Sequence, residues 1–439
     1  MISTSSPSGR QCLIGLMMSL LAASASAAPP ADDADPFADS RQLTPAGLVE
    51  AVLARNPGIK ALEAAAQAAE FRIAPAGALD DPSVSYSTAP ETTGGPRGLQ
   101  QRFEFSQPLP WPGKLTLREK AARQRAAAAS EDIDELRLRV AAAAKSLSAE
   151  WAYVHRALAI NTEHQALLQE LRRVAEARYA AGRAGQQDAL QAEVARARLA
   201  AEAITLERRR REVQARINAL LNRPAQGHVP PPVDLPEPRP VPPLASLQQS
   251  AAHEHPGLAR VRARIAEAQA QKDLAEKDFY PDFRVMAGYN DLWDNPDKRW
   301  TVGVGINLPF DYGNKRSGTL DAARAELLRR RWQLTDREAQ LLGELDTARA
   351  AVEETDALIE VYRNRLLPLA RDNLAAARAD YRAGGGSFLN IIDAEREQLR
   401  TEDGLARARA DYLRRLAELE RWVGTPLDAM GSINTETLP

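Results

Sequence analysis

The sequence predicts a membrane β-barrel that continues into a long α-helical coiled-coil barrel, built from two tandem structural repeats of helix, strand pair and long helix hairpin. Apolar and polar residues alternate strictly over 300–308, as they do in a strand with one apolar and one polar face. Residues 114–179 and 315–381 are rich in helix-forming side chains and almost free of glycine and proline. At ~1.5 Å per residue, each stretch would form a helix about 100 Å long, which no ordinary globular domain contains.

The composition excludes several functional classes. Charged residues make up 26% of the chain, but the formal net charge is only −2, which argues against a nucleic-acid partner. The sequence contains no Cys/His ligand set, nucleophile motif or phosphate-binding loop. We therefore expect no enzyme activity, no catalytic residue, no metal site and no cofactor.

The N-terminus has the pattern of a secretory signal peptide. Arg10 precedes an apolar run over 13–23, and Ala25-Ser26-Ala27 forms a small-residue cleavage motif. The predicted signal peptide is 1–27, and it includes Cys12, the single cysteine of the chain. Because Cys12 precedes the apolar run, we expect no lipid-anchor cysteine in the exported protein. No later apolar run has the length of a membrane helix, so insertion into a membrane would require strands.

The remaining chain divides into two repeats separated by a proline-rich linker. We assign residues 28–224 to repeat 1, 225–243 to the linker, 244–427 to repeat 2 and 428–439 to a C-terminal tail. Corresponding residues of the repeats lie 199 to 202 positions apart. The predicted long elements are strands 83–87 and 100–107 with helices 114–180 and 187–221 in repeat 1, and strands 282–290 and 300–308 with helices 315–382 and 388–423 in repeat 2.

Apolar residues in the first long helix of each repeat follow the three-four spacing of a coiled coil, which keeps one seam against a partner helix. The two predicted seams are Leu136, Val140, Ala144, Leu147, Trp151, Val154 and Leu158, and Leu341, Leu345, Ala348, Val352, Thr355, Ile359, Tyr362, Leu366 and Leu369. The other faces of these helices are mostly polar. We therefore expect the helices to stand outside the membrane.

Each strand pair is followed by a proline and glycine segment that leads into the long helix. Repeat 1 has Pro110, Pro112 and Gly113 at this place, and repeat 2 has Pro309 and Gly313. Proline ends strand pairing, and glycine allows the chain to change direction. We call this segment the barrel-to-helix swivel.

Four strands are too few to close a barrel, and an open sheet edge in lipid would leave unpaired backbone groups. The strands must therefore pair with those of other chains, so that two chains supply eight strands and three supply twelve. Arg102 and Glu104 alternate with Phe103 and Phe105. Such a pattern is typical of a barrel wall with a water-filled interior and a lipid-facing exterior.

Several motifs together carry a resemblance to a known family. They are the Asn56-Pro57 helix entry, the run Leu109-Pro110-Trp111-Pro112-Gly113-Lys114-Leu115, the two Tyr-x-x-Gly hairpin tips, and Ile392-Asp393-Ala394-Glu395 after the second tip. In order, duplication and spacing, they resemble the outer membrane efflux protein family, the TolC-type outer membrane factors of tripartite pumps. The resemblance spans residues 43–427.

The resemblance implies a homotrimer that shares a twelve-strand barrel in outer-membrane lipid and extends a helical tunnel into the periplasm. Its implied partners are a periplasmic adaptor (membrane fusion) protein and an inner-membrane transporter of the resistance–nodulation–division (RND) class. The runs 77–82 and 112–115 are most similar to the branch that serves heavy-metal cation pumps.

The resemblance also implies a periplasmic gate after the hairpin tips. Asp393 matches a family position at which acidic side chains form a ring, whereas Asn390 departs from the acidic residue of some members. Asp188 and Gln191 follow the first tip and are expected beside the same constriction. Three converging carboxylates would select cations. The alternative is that Asp393 is an ordinary solvated charge on a helix face.

The hairpin tips lack large side chains, which would allow the helical hairpin of an adaptor to approach closely. The predicted docking residues are Gly182, Arg183, Gly185, Gly384, Gly385 and Ser387. The small residues at the tips are explained equally well by the turns themselves, because such turns need glycine whether or not an adaptor docks there.

The five histidines give little sign of a metal site. His155 and His164 are nine positions apart and so do not share a helix face, and for His253 and His255 a turn-capping or solvated role is favoured over metal contact.

The function expected from these features is a passive outer-membrane duct that conducts heavy-metal cations from the transporter and adaptor to the outside. The same architecture could instead export drugs, solvents or polypeptides. A second alternative is an exported coiled-coil adaptor or scaffold that never enters a membrane.

Overall fold

The computed structural model describes residues 36–37, 40–89, 100–291 and 295–427. The first half consists of α1 (Pro45–Arg55), α2 (Pro57–Phe71), α3 (Ile73–Gly77), β1 (Ser83–Ala89), β2 (Gln100–Leu109), α4 (Lys114–Ala180) and α5 (Gln186–Leu220). The second half consists of α6 (Leu244–Glu254), α7 (Pro256–Lys277), β3 (Asp282–Asn290), β4 (Trp300–Asn307), α8 (Lys315–Val361), α9 (Leu367–Ala383) and α10 (Phe388–Val423). The predicted signal peptide of 1–27 and the tail of 428–439 lie outside the described residues.

The same helix cap begins the second helix of each half. The side-chain oxygen of Asn56 accepts a hydrogen bond from the amide of Gly58 at 3.0 Å. In the other half, Nδ1 of His255 accepts from the amide of Gly257, also at 3.0 Å. A proline follows each cap at the first helical position, where its missing N–H is not needed. His255 is therefore a capping residue, as its place in the sequence predicts.

The four strands form one antiparallel sheet in the order β1-β2-β3-β4. The pairing of β2 with β3 joins the two halves, with Phe105 opposite Ala287. One face is apolar, and on it the rings of Tyr86 and Phe103 lie 4.8 Å apart. On the polar face, Arg102 pairs with Glu104 at 2.7 Å. Strands β1 and β4 are the edges of the sheet within this chain.

Helix α4 runs for 67 residues and buries the middle of the predicted seam, including Val140, Ala144, Trp151 and Val154. Around it, α5, α7 and α10 make the most extensive helix contacts. Among the described residues, no helix combines the length and the apolar character needed to cross a membrane.

The second long helix differs from its prediction as one unbroken helix over 315–382. A π-helical turn, Tyr362–Leu366, separates α8 from α9, just before Pro368. Proline has no amide hydrogen to donate, and a wider turn accommodates it. The extra residue of such a turn also rotates the residues after it. The predicted seam therefore continues only as far as Tyr362, which packs against the core, whereas Leu366 and Leu369 are 41% and 65% exposed.

The proline-rich linker is extended and packs on both halves. Leu43 of repeat 1 pairs with it through its backbone: the Leu43 amide donates to the Pro231 carbonyl at 2.8 Å, and the Leu43 carbonyl accepts from the Val233 amide at 3.1 Å. The indole of Trp151 donates to the Pro230 carbonyl at 2.8 Å. From α10, Arg409 donates to the Leu235 carbonyl at 2.6 Å. The linker thus holds α4 and α10 side by side.

Candidate functional site at the helical tip

The two hairpin tips of the chain are bound to each other. Arg178, near the end of α4, donates to the carbonyl oxygens of Tyr381 and Arg382 at 2.7 and 3.1 Å. Its guanidinium also lies over the Tyr381 ring, 4.6 Å from the centroid. In return, the Tyr381 hydroxyl donates to Oδ2 of Asp188 at 2.8 Å. Three elements, α4, α5 and α9, are therefore held together at the hairpin tips.

Tyr381 is suited to remain a donor in this contact. Its side chain is buried and packs edge-on against Phe388. Burial, together with the hydrogen bond to Asp188 and the charge of that carboxylate, raises the pKa of Tyr381 to about 12, although the charge of Arg178 opposes this. The hydroxyl is consequently protonated across the physiological range.

Turn chemistry accounts for only part of the predicted docking residues. Gly182 and Gly384 have φ values of +67° and +88°, a left-handed conformation that favours glycine. The Ser387 hydroxyl caps α10 by accepting from the Asn390 amide at 3.3 Å. Arg183, Gly185 and Gly385 are exposed, but their backbones also belong to the turns. The Arg183 and Gly385 amides donate to the Arg178 and Asp380 carbonyls at 2.9 and 3.1 Å, and the Gly185 carbonyl accepts from the Asp188 amide at 3.2 Å, so turn chemistry leaves the exposed Arg183 side chain unexplained.

The structure brings two of the predicted gate residues onto one exposed face. Asn390 and Asp393 lie on α10 opposite the buried Ile391 and Ile392. The Asp393 carboxylate is not isolated, because Arg396 contacts it at 3.1 Å from the next turn of the helix. A neighbouring guanidinium weakens the local negative potential without removing it.

The other two predicted gate residues are used differently. The Asp188 carboxylate is half-buried in the tip-to-tip contact with Tyr381. Gln191 is also half-buried, and its side-chain oxygen has no hydrogen-bond partner among the described residues. Within one chain, Asp188 therefore joins the tips rather than facing solvent like Asp393.

A buried charged triad lies farther up the same helices and was not predicted. His164 on α4 contacts Oε1 of Glu395 through Nδ1 at 2.8 Å and Oε2 of Glu402 through Nε2 at 3.3 Å. Burial alone would lower the pKa of His164, but the two hydrogen bonds and carboxylate charges outweigh it and raise the pKa to about 9. The imidazolium thus bridges α4 to α10.

Glu395 belongs to the sequence motif that follows the second tip, and the sequence pattern around His164 indicates no partner for it. The two residues are 231 positions apart, and no local pattern announces such a contact. The carboxylates bind opposite nitrogens of the ring, so the triad does not converge on a common point. No set of three His, Cys, Asp or Glu side chains in the described residues could hold a metal ion.

At the other end of the helices, the repeat 1 swivel is packed against repeat 2. Gly113 has φ +91° and caps the N-terminus of α4, and Pro110 and Pro112 lie between the end of β2 and this glycine. The ring of Trp111 stacks on Tyr280, with 5.1 Å between centroids. This swivel is therefore buttressed within the chain.

The repeat 2 swivel lacks such ring stacking on the other repeat in the described part of the chain, and is held instead by Arg316, which donates to the carbonyl oxygens of Phe310 and Asp278 at 2.8 Å each. Gly313 has φ +63°, and the neighbouring aromatic residues Phe310 and Tyr312 are 64% and 84% exposed. Pro309 lies between β4 and this exposed pair.

Comparison with known proteins agrees with this architecture. The family model described as outer membrane efflux protein matches residues 247–425. Nodulation protein T of Rhizobium leguminosarum bv. trifolii is 22% identical over 381 residues, which cover 82% of this chain and 80% of that protein. The cobalt-zinc-cadmium resistance protein CzcC of Cupriavidus metallidurans is 26% identical over 161 residues, covering 35% of this chain and 36% of that protein.

The fold comparison extends over both repeats. The structure of the outer-membrane channel OprN superposes with a TM-score of 0.76 at 20% identity, covering 90% of this chain and 95% of that one. The resemblance carried by the sequence motifs is thereby confirmed. Residues 247–425 match the outer membrane efflux protein family, whose channels are passive ducts rather than enzymes, and the chain has the fold of TolC-like outer-membrane channels.

Proposed function

We propose that this protein is the outer-membrane duct of a tripartite efflux system. Three copies share a twelve-strand barrel in outer-membrane lipid, and their helices form a tunnel in the periplasm. An inner-membrane RND transporter delivers substrate through a periplasmic adaptor protein, and the duct conducts it passively to the outside. A signal peptide over residues 1–27 directs export.

The observation that carries this proposal is the four-stranded sheet, which has two unpaired edges and an exposed apolar face. Trp300, Val302 and Val84 on that face are 71%, 83% and 74% exposed. In water such a surface would drive aggregation. In lipid it is the required exterior of a barrel, provided that neighbouring chains pair with both edges.

The same observation argues against an exported scaffold that never enters a membrane. Coiled-coil hairpins such as α4 with α5 would serve a scaffold well, but a scaffold has no use for the exposed apolar strands.

Heavy-metal cations are the substrate class that we favour. The similarity to CzcC supports it, although that similarity covers 35% of this chain. The exposed Asp393 supports it as well, because three copies would place three carboxylates around one opening. Drugs, solvents and polypeptides are the alternatives for the same duct.

At the tip, we assign the gate to Asp393, Asn390, Asp188 and Gln191, and Asp188 also joins the two tips through Tyr381. Adaptor docking is assigned to the exposed Arg183, Gly185 and Gly385, together with the turn residues Gly182, Gly384 and Ser387. Crosslinkers placed at Arg183 should capture the adaptor. Capture of no adaptor from any of the exposed positions would contradict the docking assignment.

The direct test of the duct is carbonate extraction of cell envelopes followed by conductance measurements on the purified protein in a planar bilayer. We expect the protein to stay in the outer-membrane fraction and to give discrete conductance steps. Release by carbonate, with no conductance, would favour the soluble scaffold.

A further inference from the structure

An ionic contact between a buried lysine and two part-exposed carboxylates joins the two repeats at the base of the sheet. Nζ of Lys114, the first residue of α4, lies 2.9 Å from Oδ1 of Asp282 and 3.2 Å from Oδ1 of Asp278. The Lys114 side chain is only 4% exposed, and the Trp111 amide also donates to Asp282 at 2.8 Å. The Trp111 ring stacks on Phe283 as well as on Tyr280. We call this contact the inner junction.

The strand pairings show which residues of repeat 2 correspond to those of repeat 1. The motif that begins at Leu109-Pro110 matches Leu308-Pro309, so Gly305 is the counterpart of Ser106. Ser83 pairs with Ser106, and Arg284 pairs with Gly305, which makes Arg284 the counterpart of Ser83.

Carried to the inner junction, this correspondence makes Asp81 the counterpart of Asp282. Lys315 is the counterpart of Lys114, because each is the first residue of its long helix. Phe310 and Leu79 are the counterparts of Trp111 and Tyr280. Repeat 1 thus carries the acidic half of a second junction, and repeat 2 carries the basic half. We call this second junction the outer junction.

Within one chain these two halves do not meet. Lys315 and Asp81 are both exposed, and neither forms an ion pair among the described residues. Lys315 lines a cavity of about 170 Å³ beside the inner junction, but the carboxylates there already bind Lys114. The apolar counterparts are exposed too, Phe310 to 64% and Leu79 to 49%.

We propose that a second copy of this chain completes the outer junction. Lys315 binds Asp81 of the neighbouring subunit, with Asp80 of that subunit beside it, and Phe310 packs against the neighbouring Leu79. The contact is heterologous, since it joins different surfaces of the two copies, and so its repetition can close a ring. This inference rests on the proposed function and adds to it the residues and the strand register of the subunit interface.

The register follows from the observed pairing of β2 with β3. Within the chain, Phe105 lies opposite Ala287 and Gln107 lies opposite Val285. The corresponding pairs at the subunit interface are Val304 opposite Tyr86 and Ile306 opposite Val84. Apolar residues then face apolar residues across the interface between β4 and the neighbouring β1. A slip by one residue would set Val304 against a serine and reverse the faces of the strand. The transferred register is therefore consistent with the side-chain pattern of both edges.

Disulfide crosslinking tests the register. In a variant lacking Cys12, the single native cysteine, Asn307→Cys combined with Ser83→Cys is the pair that the register places opposite each other. The matched control combines Asn307→Cys with Ser85→Cys, which keeps the face but shifts the register by two residues. Mild oxidation should give covalent dimers and trimers in several-fold higher yield from the first pair.

Three outcomes would count against the proposal, and they can be told apart. Equal or better crosslinking of the shifted pair would overturn the register. Trimers that crosslink with neither pair would overturn the register while leaving the shared barrel intact. Monomers throughout would overturn the shared barrel and the outer junction together.

Charge reversal tests the outer junction itself. Lys315→Glu and Asp81→Lys should each lower the temperature at which the trimer dissociates in detergent, and the double variant should recover most of the loss. Lys298→Glu, at an exposed lysine near the opposite end of the sheet, is the control and should have no effect. The ion pair would be overturned if the trimers of the single variants dissociated at the wild-type temperature, or if those of the double variant dissociated at a lower temperature than either single variant.

Discussion

At the residue scale, the tip depends on a few polar contacts between otherwise separate hairpins. Tyr381, Asp188 and Arg178 form the contacts that join the two tips of one chain. They lie where the proposed tunnel narrows, so that loosening them should change the opening as well as the stability of the tip.

Tyr381→Phe should therefore loosen the tip while preserving its packing. The variant removes the hydroxyl that donates to Asp188 at 2.8 Å and leaves that carboxylate without this donor. A loss of about 1 kcal/mol is typical of one such hydrogen bond. We expect a higher single-channel conductance in planar bilayers. Tyr179→Phe, at the exposed tyrosine of the first tip, is the matched control. Identical conductance in both variants would contradict a role for the contact in closure.

Asp393→Asn should reduce the preference of the channel for cations. The substitution removes the carboxylate and frees Arg396, which contacts it at 3.1 Å, so the potential at the opening becomes more positive. Reversal potentials in a salt gradient measure this preference. Glu397→Gln, an exposed acid on the same helix, should change it much less. Equal effects of the two variants would mean that Asp393 is an ordinary solvated charge.

The triad at His164 should make stability depend on alkaline pH. The folded pKa of about 9 lies above the unfolded value of 6.5, so the stabilisation is complete below pH 6.5 and is lost as the pH rises toward 9. It is worth on the order of 3 kcal/mol. Unfolding midpoints measured across this range should fall for the wild type and stay level for His164→Gln. A parallel fall in the variant would contradict the assignment.

His255 should act in the opposite direction. Burial and the charge of Arg337 lower its pKa to about 4, so the folded state resists protonation, and stability should rise between pH 4 and 6.5. His255→Asn keeps an acceptor for the Gly257 amide, as Asn56 does in the other half, and removes the titration. Its unfolding midpoint should depend less on pH in this range than that of the wild type.

The two histidines also show what the sequence can reveal about single residues. The cap at His255 is predictable, because its partner is two positions away and a proline follows. The triad at His164 is not, because its partners lie on a helix more than 200 positions later. The contact of Asp188 is equally hidden, since its partner Tyr381 is 193 positions away.

At the element scale, the π-helical turn between α8 and α9 is tied to one glycine on α10. A Cβ atom at Gly404 would lie 2.6 Å from the ring of Tyr362, the first residue of that turn. The small residue thus allows the ring to rest directly on the facing helix. Pro368 marks in the sequence where the long helix is interrupted. Which residues face the core after the interruption depends on the geometry of the π-helical turn.

Gly404→Ala should destabilise this helix pair. The ring must move to admit the new methyl group, and overpacking of this kind costs about 1–3 kcal/mol. Gly343→Ala is the matched control, because nothing lies within 4 Å of its Cβ position, and alanine in a helix interior should stabilise by about 1 kcal/mol. Urea unfolding would measure both. Equal changes in the two variants would contradict the contact.

At the scale of the whole molecule, the sheet and the long helices were predictable because their signals are local and repeated. Alternation over 300–308 is a property of neighbouring residues, and the observed strand β4, Trp300–Asn307, ends one residue earlier. The packing of the two repeats against each other was harder to predict from the sequence, because the contact of Lys114 with Asp282 spans 168 positions.

The central claim is that this chain supplies four strands to a barrel that three copies close. The most direct test is the mass of the particle extracted by detergent from the outer membrane, measured by native mass spectrometry. We expect three copies of the chain in each inserted particle. A membrane-inserted particle containing a single chain would contradict it.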